Sequence, residues 1–371
     1  MLVDSIINKL KTKIDEEVQN FLNKDYKIPL KYPELESFYK ETVNYSLRKG
    51  KRIRPVLFIL GAFLYSENED IETLYYDNNI IKSSIFLELL QAFFLCHDDI
   101  IDNSDLRRGK KSLHIILNDI FGDKTNYDAG LDKDKGKLFA ILSGDILFAL
   151  SSKALNNIAI DNINLKNKIQ DTFYNYVLDT TIGQFLDMHN GYKNLDDLLE
   201  DGEFYNKVKS TYILKTAKYT IETPLILGAN YRGLVEEEEN KLKTFASKLG
   251  FAFQLQDDLI GLFGSIKEIG KPVTSDILEE KKTLLILDTY YNLNKEGRSK
   301  FKKLFYERPL TDESFNKIKD YVKNSGAKST TINKLEQNLN EALEIVNTLN
   351  ISDYKKQLLK EFSKKMLSKY H

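Results

Sequence analysis

Residues 84–102 read SIFLELLQAFFLCHDDIID, a long apolar run that ends in three acids. The run is apolar around most of a helical circumference, which predicts a buried helix rather than an amphipathic surface helix. Asp98 and Asp102 are i,i+4 neighbours on one helix face with Asp99 beside them, and like charges so placed repel unless a cation neutralises them. Carboxylate oxygens suit Mg2+, which completes its shell with waters and phosphate oxygens. The stretch therefore predicts a core helix that ends in a magnesium site.

A second segment has the same design. Residues 245–258 read FASKLGFAFQLQDD and end on Asp257 and Asp258. Because buried carboxylates are costly without a cation, we expect the two acid-bearing helices to face one another and hold metal between them. Taken singly, such an acid cluster is equally consistent with a solvated helix end. Arg107 and Arg108 follow the first cluster directly, and their guanidinium groups suit phosphate, which favours the metal interpretation.

Composition limits the class of protein. The 371 residues carry a formal net charge of -1, which argues against a protein that binds nucleic acid or another polyanion. Apolar residues recur at helical spacing from end to end, which predicts an all-α fold. The length allows one large domain or two; we take the chain as one domain over residues 1–371, with a helical scaffold from about residue 295. No apolar run reaches the roughly twenty residues of a membrane span. The single cysteine suggests a reducing compartment, so we expect a cytoplasmic protein.

The helical pattern also predicts the order of elements. Helices are expected near residues 3–23, 33–49, 53–66, 80–103, 136–158, 164–188, 195–228, 235–264, 277–293, 296–306, 312–324, 328–347 and 352–369. The helix over 195–228 is expected to break near Ser210. Residues 122–135 indicate a flexible insertion, and the glycine- and proline-containing loop over 264–275, which includes Lys271, is suited to act as a lid.

Two short features have simple interpretations. Cys96 and His97 suggest zinc, but adjacent residues make a poor chelating pair and no second Cys/His cluster exists, so core packing is favoured. Lys281 and Lys282 are expected to be a solvated pair.

The chain resembles the trans-isoprenyl diphosphate synthases, and closely the eukaryotic farnesyl and geranylgeranyl diphosphate synthases. The resemblance rests on motifs that occur in the family's order: GKRIRP at 50–55, ELLQAFFLCHDDIIDNSDLRRG at 88–109, GQFLD at 183–187, KTA at 215–217, FQLQDD at 253–258, and GK at 270–271 with SDILEEKKT at 275–283. It implies a single helical bundle with a central active-site cavity and a homodimer. The implied reaction is Mg2+-dependent condensation of isopentenyl diphosphate with allylic diphosphates, dimethylallyl and geranyl, to farnesyl diphosphate. Extension to geranylgeranyl or longer products stays open.

The resemblance also implies a role for each motif residue. Each active site would bind three Mg2+ ions. Their direct ligands would be Asp98, Asp102 and Asp257. Support through water or indirect contacts would come from Asp99, Asp187, Asp258 and Asp276. The allylic diphosphate would be held by Arg107, Lys215 and Lys271, and isopentenyl diphosphate by Lys51, Arg54, Gln91 and Arg108. The carbocation would face Thr216, Gln254 and the carbonyl of Lys215, with Tyr219 nearby.

Product length is assigned to Phe93 and Phe94. They precede Asp98 by five and four residues, which places them roughly 6–7.5 Å along the helix axis from that acid. Side chains at that depth can form a floor that stops a growing hydrocarbon tail. The same two phenylalanines can also be ordinary core residues, since a pocket floor is itself core.

Two departures from the family pattern and three alternatives remain. Lys49 stands where the family usually has glycine, and Gly261 stands where farnesyl synthases commonly have a third aspartate, which removes a water-mediated metal contact. The alternatives are a non-catalytic or regulatory subunit of a prenyl synthase heteromer, a terpene cyclase and a purely structural helical protein. A cyclase normally carries an Asn/Ser/Glu metal motif that is absent here, and a structural protein leaves the buried acids unexplained.

Overall fold

The computed structural model describes residues 2–27, 32–122, 135–264 and 274–368. Lys271 therefore lies outside the described residues, as do most of the predicted insertion over 122–135 and most of the predicted lid over 264–275. Regular structure in the described part is almost entirely helical, so the all-α prediction is confirmed.

The first part of the chain forms helices of moderate length and one short hairpin. The helices are α1 (Leu2–Asp25), α2 (Pro33–Ser46), α3 (Ile53–Leu64), α4 (Asn78–Ser84), α5 (Phe86–Ile101), α6 (Leu113–Phe121) and α7 (Lys135–Asn156), with a 3-10 turn at Ile71–Tyr75. Strands β1 (Leu106–Arg107) and β2 (Lys110–Lys111) pair antiparallel between α5 and α6.

The remainder is helical throughout its regular structure. Its helices are α8 (Ile163–Gly191), α9 (Asp197–Glu200), α10 (Phe204–Thr211), a π-helix (Tyr212–Glu222), α11 (Thr223–Tyr231), α12 (Glu236–Phe263), α13 (Ser275–Leu278), α14 (Leu284–Asn292), α15 (Lys295–Phe305), α16 (Asp312–Asn324), α17 (Ala327–Thr348) and α18 (Asp353–Met366).

The chain divides into two compact units. The first comprises Met1–Gln170 with Gly228–Arg232, and the second comprises Asp171–Leu227 with Gly233–His371. In the first unit α5 and α6 pack along α7, and in the second α12 packs along α17 and the π-helix. The single-domain expectation stays a prediction.

Helix α5 is buried as its sequence predicts. Phe86, Leu87 and Leu89 on successive faces are completely buried, because the helix is apolar around its circumference. The predicted helix over 80–103 is in fact two helices, α4 and α5, which meet at Ile85.

Among the residues that the structure describes, two helical segments are long and apolar enough to cross a membrane by length and composition alone. They are Asn78–Ile101 and Lys135–Asn156, and 72% of the first and 44% of the second apolar window is buried inside the protein. The first segment therefore has the burial of a core helix.

The helix predicted over 195–228 is interrupted at residues 201–203 and not near Ser210, where α10 continues without a break into a helix of another type. From Tyr212 to Glu222 the backbone forms a π-helix, a rare conformation that occurs often at functional sites. A Cβ atom at Gly183 of α8 would lie 2.5 Å from the backbone nitrogen of Lys215. Glycine at position 183 therefore lets α8 approach the π-helix backbone closely.

Candidate functional site

The first acid pair has one buried and one partly exposed member. The Asp99 side chain is 1% exposed, whereas that of Asp98 is 23% exposed. Tyr45 donates its hydroxyl to Asp99 Oδ2 at 2.9 Å, and Arg107 Nε donates to Oδ1 at 2.5 Å. Burial raises the pKa of Asp99, while the Arg107 charge and both hydrogen bonds oppose that rise. Both oxygens of Asp99 are thus engaged within the protein, which favours an anchoring role over direct metal coordination.

Asp98 and Asp102 lie one turn apart at the C-terminal end of α5. Asp102 caps that helix, and its backbone nitrogen donates to the Asp98 carbonyl at 2.8 Å. Arg107 Nη2 approaches Asp98 Oδ2 at 3.5 Å. The helix end therefore carries Asp98 beside the Arg107 guanidinium, with Asp102 one turn further on, as the i,i+4 spacing predicts.

Arg107 and Arg108 are carried by the β1–β2 hairpin. Its turn places Arg108 (φ 55°) and Gly109 (φ 73°) in the left-handed region. Arg108 Nη2 lies 3.4 Å from Glu88 Oε1, and a Cβ atom at Gly50 would lie 2.8 Å from Arg108 Cζ. The hairpin thus directs Arg107 to the acid pair and Arg108 to the Gly50 turn.

Arg52 was missed by the sequence analysis. It is buried in the left-handed conformation just before α3 and forms ion pairs with Asp15, at 2.5 Å, and with Glu88. The signal for it was present in the sequence, because Glu88 interrupts the apolar run of α5 and a buried acid requires a cationic partner. Of the predicted isopentenyl diphosphate ligands, Lys51 lies just before Arg52, outside the helix, and Arg54 lies in the first turn of α3.

The second acid pair repeats the arrangement with neutral partners. Asp257 is exposed and Asp258 is buried. Tyr212 donates its hydroxyl to Asp258 Oδ2, and Gln254 Nε2 donates to Oδ1 at 3.0 Å. Burial, with added repulsion from Asp276 and Asp257, raises the pKa of Asp258 to about 8 despite these hydrogen bonds.

The carboxylate of Asp276 lies beside Gly261, the position at which the chain departs from the family pattern. A Cβ atom at Gly261 would collide with Oδ2 of Asp276. Asp276 therefore brings a carboxylate to the helical position at which farnesyl synthases commonly carry their third aspartate. The carboxylate beside Gly261 thus belongs to α13 and not to α12.

The two lysines of the LKTAKYT segment have different partners. Lys215 pairs with Asp187 at 2.5 Å, and Lys218 pairs with Asp179 at 2.6 Å. Lys215 and Asp187 are both predicted site residues, and the structure brings them together across α8 and the π-helix. Thr216 is half-buried and Tyr219 is buried on the same π-helix.

A model of the polyprenyl synthetase family matches residues 36–322. The chain belongs to this family. The prediction of a prenyltransferase, made from the order of the motifs, is thereby confirmed.

Several relatives resemble this polyprenyl synthetase over most of its length. It is 29% identical over 315 residues to a short chain isoprenyl diphosphate synthase of Methanocaldococcus jannaschii, covering 84% of this chain and 81% of the relative. It is 31% identical over 289 residues to a geranylgeranyl diphosphate synthase of Saccharolobus solfataricus, covering 76% and 72%. It is also 31% identical over 255 residues to a farnesyl diphosphate synthase of Bacillus subtilis, covering 66% and 73%.

Solved structures show the same fold. A geranylgeranyl pyrophosphate synthase of Corynebacterium glutamicum, complexed with isoprenyl diphosphate and magnesium, superposes with a TM-score of 0.79 at 24% identity and covers 98% of both chains. At that identity the likeness establishes the architecture of the synthetase and nothing more.

The predicted product-length residues form an aromatic cluster in the synthetase. Phe93 and Phe94 have ring centroids 4.8 Å apart, and Phe93 also lies 5.2 Å from Phe148 of α7 and 4.8 Å from His97. Phe148 was missed, because nothing in its local sequence distinguishes it from other core residues of α7.

The zinc alternative is not supported by the contacts of Cys96 and His97. Cys96 is buried and its thiol donates to the carbonyl of Ala140 at 3.1 Å, while a His97 ring nitrogen lies 3.3 Å from the carbonyl of Ile141. Both residues therefore hold α5 against α7, as the core-packing interpretation predicts.

Within residues 2–27, 32–122, 135–264 and 274–368, no group of three or more His, Cys, Asp or Glu residues is arranged to hold a metal alone. Mg2+ does not require such a group, because it usually binds one or two carboxylates and takes its other oxygens from water and phosphate. The two carboxylates at the end of α5 fit that requirement.

One expectation about the basic residues after α13 is wrong. Lys282 is not solvated: its side chain is 1% exposed and Nζ donates to the carbonyl of Gly191 at 2.6 Å. Burial lowers the pKa of Lys282. Lys281 does remain partly exposed and pairs with Glu279 at 2.6 Å.

Proposed function

We propose that the protein is a Mg2+-dependent synthase that condenses isopentenyl diphosphate with allylic diphosphates. One observation carries this proposal: each acid pair combines an exposed or half-exposed aspartate, Asp98 or Asp257, with a buried aspartate held by a tyrosine hydroxyl. In this reaction the site must neutralise the departing diphosphate. It must also offer no nucleophile to the allylic carbocation that is left behind. Acids fixed by hydrogen bonds inside the protein, Asp99 and Asp258, meet the second requirement.

The metal assignment follows from this division. Asp98, Asp102 and Asp257 would coordinate Mg2+, with three ions in total. Asp99, Asp187, Asp258 and Asp276 would hold neighbouring groups in place. Bound Mg2+ would supply Lewis-acid neutralisation of the leaving diphosphate.

The cationic residues divide into two diphosphate-binding sets. The allylic set would be Arg107, Lys215 and Lys271, and the isopentenyl set Lys51, Arg54, Gln91 and Arg108. Support for the second set comes from the start of α3, where two cations three residues apart adjoin a helix N-terminus suited to phosphate. Support for Lys215 comes from its ion pair with Asp187, which keeps the ammonium in place until an anionic substrate competes for it.

The carbocation would be stabilised by oxygen dipoles of the second unit. Gln254 donates its amide nitrogen to Asp258, which orients its amide oxygen as the atom available to face positive charge. The π-helix carries Thr216, Tyr219 and the carbonyl of Lys215, and such segments alter the usual backbone hydrogen bonds. Dipoles of this kind stabilise a cation without bonding to it.

Farnesyl diphosphate is the proposed main product. The support is the cluster in which Phe93 and Phe94, just over one turn before Asp98 on α5, pack with Phe148 of α7. Relatives of the chain include farnesyl, geranylgeranyl and geranylfarnesyl diphosphate synthases. The test is product analysis by chain length for isopentenyl diphosphate with each allylic starter. Predominantly C15 product supports the proposal, mainly C20 or longer product refutes the length assignment, and no product supports the non-catalytic subunit instead.

We also propose a cytoplasmic homodimer. Leu178, Ile182 and Phe185 share one face of α8 and are each more than half exposed, which is unusual for a surface helix unless a partner covers it. A second copy of the same chain is the proposed partner. Sedimentation velocity of the wild type and of Leu178→Lys/Ile182→Lys tests this, with a dimer expected for the first and a monomer for the second.

A further inference from the structure

Arg48 is a buried arginine in the segment between α2 and α3. It is 8% exposed and belongs to none of the residues assigned to substrate or metal. Its Nη2 donates to the carbonyl oxygen of Lys111 at 2.6 Å, and Nη1 donates to that of Arg107 at 3.4 Å. The guanidinium also lies over the ring of Tyr45, 4.7 Å from its centroid. One side chain therefore contacts both strands of the β1–β2 hairpin.

The main chain of Arg48 makes contacts in the other direction. Its carbonyl oxygen accepts from Arg108 Nη1 at 2.7 Å and from Arg52 Nη2 at 3.0 Å. The side chain of Arg48 thus holds the hairpin strands, while its carbonyl holds the guanidinium carried by the hairpin turn.

The hairpin depends on such contacts for its placement. Its strands have two residues each, and a two-stranded ribbon is marginally stable at best on its own. Arg108 also adopts a left-handed φ of 55°, which is unfavourable for a residue with a side chain. Contacts from outside the hairpin must therefore fix the positions of Arg107 and Arg108.

We propose that Arg48 is a positioning residue that sets the placement of Arg107 and Arg108 together. This inference rests on the proposed function, in which Arg107 binds the allylic diphosphate and Arg108 binds isopentenyl diphosphate. Arg48 touches neither diphosphate and acts through the hairpin. A single side chain then tunes the affinity for both substrates.

The test compares Arg48→Met with Arg298→Met in the full-length protein. Arg298 is a matched control, because it donates to the carbonyls of Tyr290 and Tyr291, both at 2.9 Å, and lies over the Tyr290 ring. Both variants lose the same kinds of contact, so both are expected to lower the melting temperature. Only Arg48→Met is expected to raise the KM for both substrates, by about tenfold, with a smaller change in kcat. Unchanged KM values in Arg48→Met, or equal shifts in both variants, would overturn the proposal.

Arg48→Lys covers the case in which the methionine variant does not fold. It keeps the charge, but one ammonium cannot span two carbonyls as the guanidinium does. An intermediate rise in both KM values is expected, and wild-type values would count against the proposal.

A double-mutant cycle separates positioning from general destabilisation. If Arg48 acts through Arg108, the effect of Arg48→Met on the KM for isopentenyl diphosphate should fall below about twofold in an Arg108→Ala background. Additive effects would contradict that mechanism.

Calorimetry with inorganic pyrophosphate and Mg2+ makes the test independent of catalysis. Arg48→Met should bind pyrophosphate about tenfold more weakly than the wild type, whereas Arg298→Met should bind it normally. If the wild type transfers no prenyl group but shows this difference, the proposed reaction fails and the role of Arg48 stands. If the wild type is active and the difference is absent, only the role of Arg48 fails.

Discussion

Asp99 and Asp258 are the inner members of two similar acid pairs, but their partners differ in charge. Each accepts a hydrogen bond from a tyrosine hydroxyl. The second partner of Asp99 is the guanidinium of Arg107, whereas the second partner of Asp258 is the neutral amide of Gln254. The inner acid of the first pair thus orients a cation suited to diphosphate, and that of the second orients a dipole suited to a carbocation.

The difference shows how one sequence pattern holds two different kinds of group. Adjacent residues on a helix point about 100° apart, so an aspartate pair at a helix end can direct one carboxylate outward and one inward. The outward member is the proposed metal ligand in both pairs. The inward member fixes a different group in each, and that group sets the local chemistry.

The largest expected effect comes from the outward acids. Asp98→Asn and Asp257→Asn should each lower kcat by about a hundredfold or more, because each removes a carboxylate ligand for Mg2+. Steady-state assays at saturating Mg2+ measure this, with circular dichroism as the control for folding. Near-normal turnover in either variant would show that the outward members of the two pairs are not equivalent.

Substitutions of the two inward acids should differ in their effect on the free energy of unfolding rather than on metal binding. Asp99→Asn takes from the Arg107 guanidinium its closer, buried carboxylate partner and should destabilise the fold by about 3 kcal/mol. Asp258→Asn keeps an acceptor for Tyr212 and should cost about 1 kcal/mol. Urea unfolding in EDTA, which removes metal effects, measures both free energies. Equal losses, or a larger loss for Asp258→Asn, would contradict the division into charged and neutral partners.

The residues one turn before each pair should differ in their effect on product length. Phe93 and Phe94 are half-buried, whereas Ala252 and Phe253 at the corresponding places before Asp257 are buried. Phe93→Ala/Phe94→Ala should increase the share of geranylgeranyl and longer products several-fold, because it removes the floor below the first pair.

Two further variants serve as controls for product length. Phe148→Ala should lengthen products less than the double variant, since it removes one ring beside Phe93 and leaves both rings of the floor in place. Phe253→Ala should reduce stability without lengthening products. Chromatography of the dephosphorylated products measures the chain-length distribution. An unchanged distribution in the double variant would show that Phe93 and Phe94 do not stop chain growth.

Much of this comparison could be predicted from the sequence. The apolar circumference of α5 predicts its burial, and the i,i+4 spacing predicts that Asp98 and Asp102 lie together. Only the resemblance distinguished the two members of each pair; local patterns could not show which one turns inward, because the inner acids bind Tyr45 and Tyr212, which are 54 and 46 residues away. Such distant partners are invisible to local patterns.

Local irregularities were also hidden for physical reasons. The interruption at Ile85 and the π-helix both consist of residues with ordinary helical propensity, so nothing in composition distinguishes them from a continuous α-helix. The hairpin strands are too short to produce an alternating pattern. Lys282 looks like a surface lysine, and only its contact with the distant Gly191 carbonyl reveals its burial.

The smallest expected effect concerns the last position of the two acidic motifs, at which the second motif lacks an aspartate. Asp102 completes the first motif, and Gly261 stands at the matching position of the second, where Asp276 brings a carboxylate from α13. Gly261→Ala should displace that carboxylate, because the added Cβ atom collides with Oδ2 of Asp276. The Mg2+ concentration for half-maximal activity should rise about tenfold, as for loss of an indirect metal contact. Calorimetric titration of Mg2+ with inorganic pyrophosphate provides a second readout.

The control for this substitution is Gly191→Ala, since a Cβ atom at that helical glycine meets nothing within 4 Å. It should leave the Mg2+ requirement unchanged. Gly261→Asp/Asp276→Gly moves the carboxylate back to α12, and it should recover most of the affinity that Gly261→Ala loses if the two positions serve one purpose. A double variant as weak as Asp276→Gly alone would show that a carboxylate from α13 cannot be exchanged for one on α12. The second motif would then depend on a residue outside its own helix, whereas the first is complete within α5 and its cap.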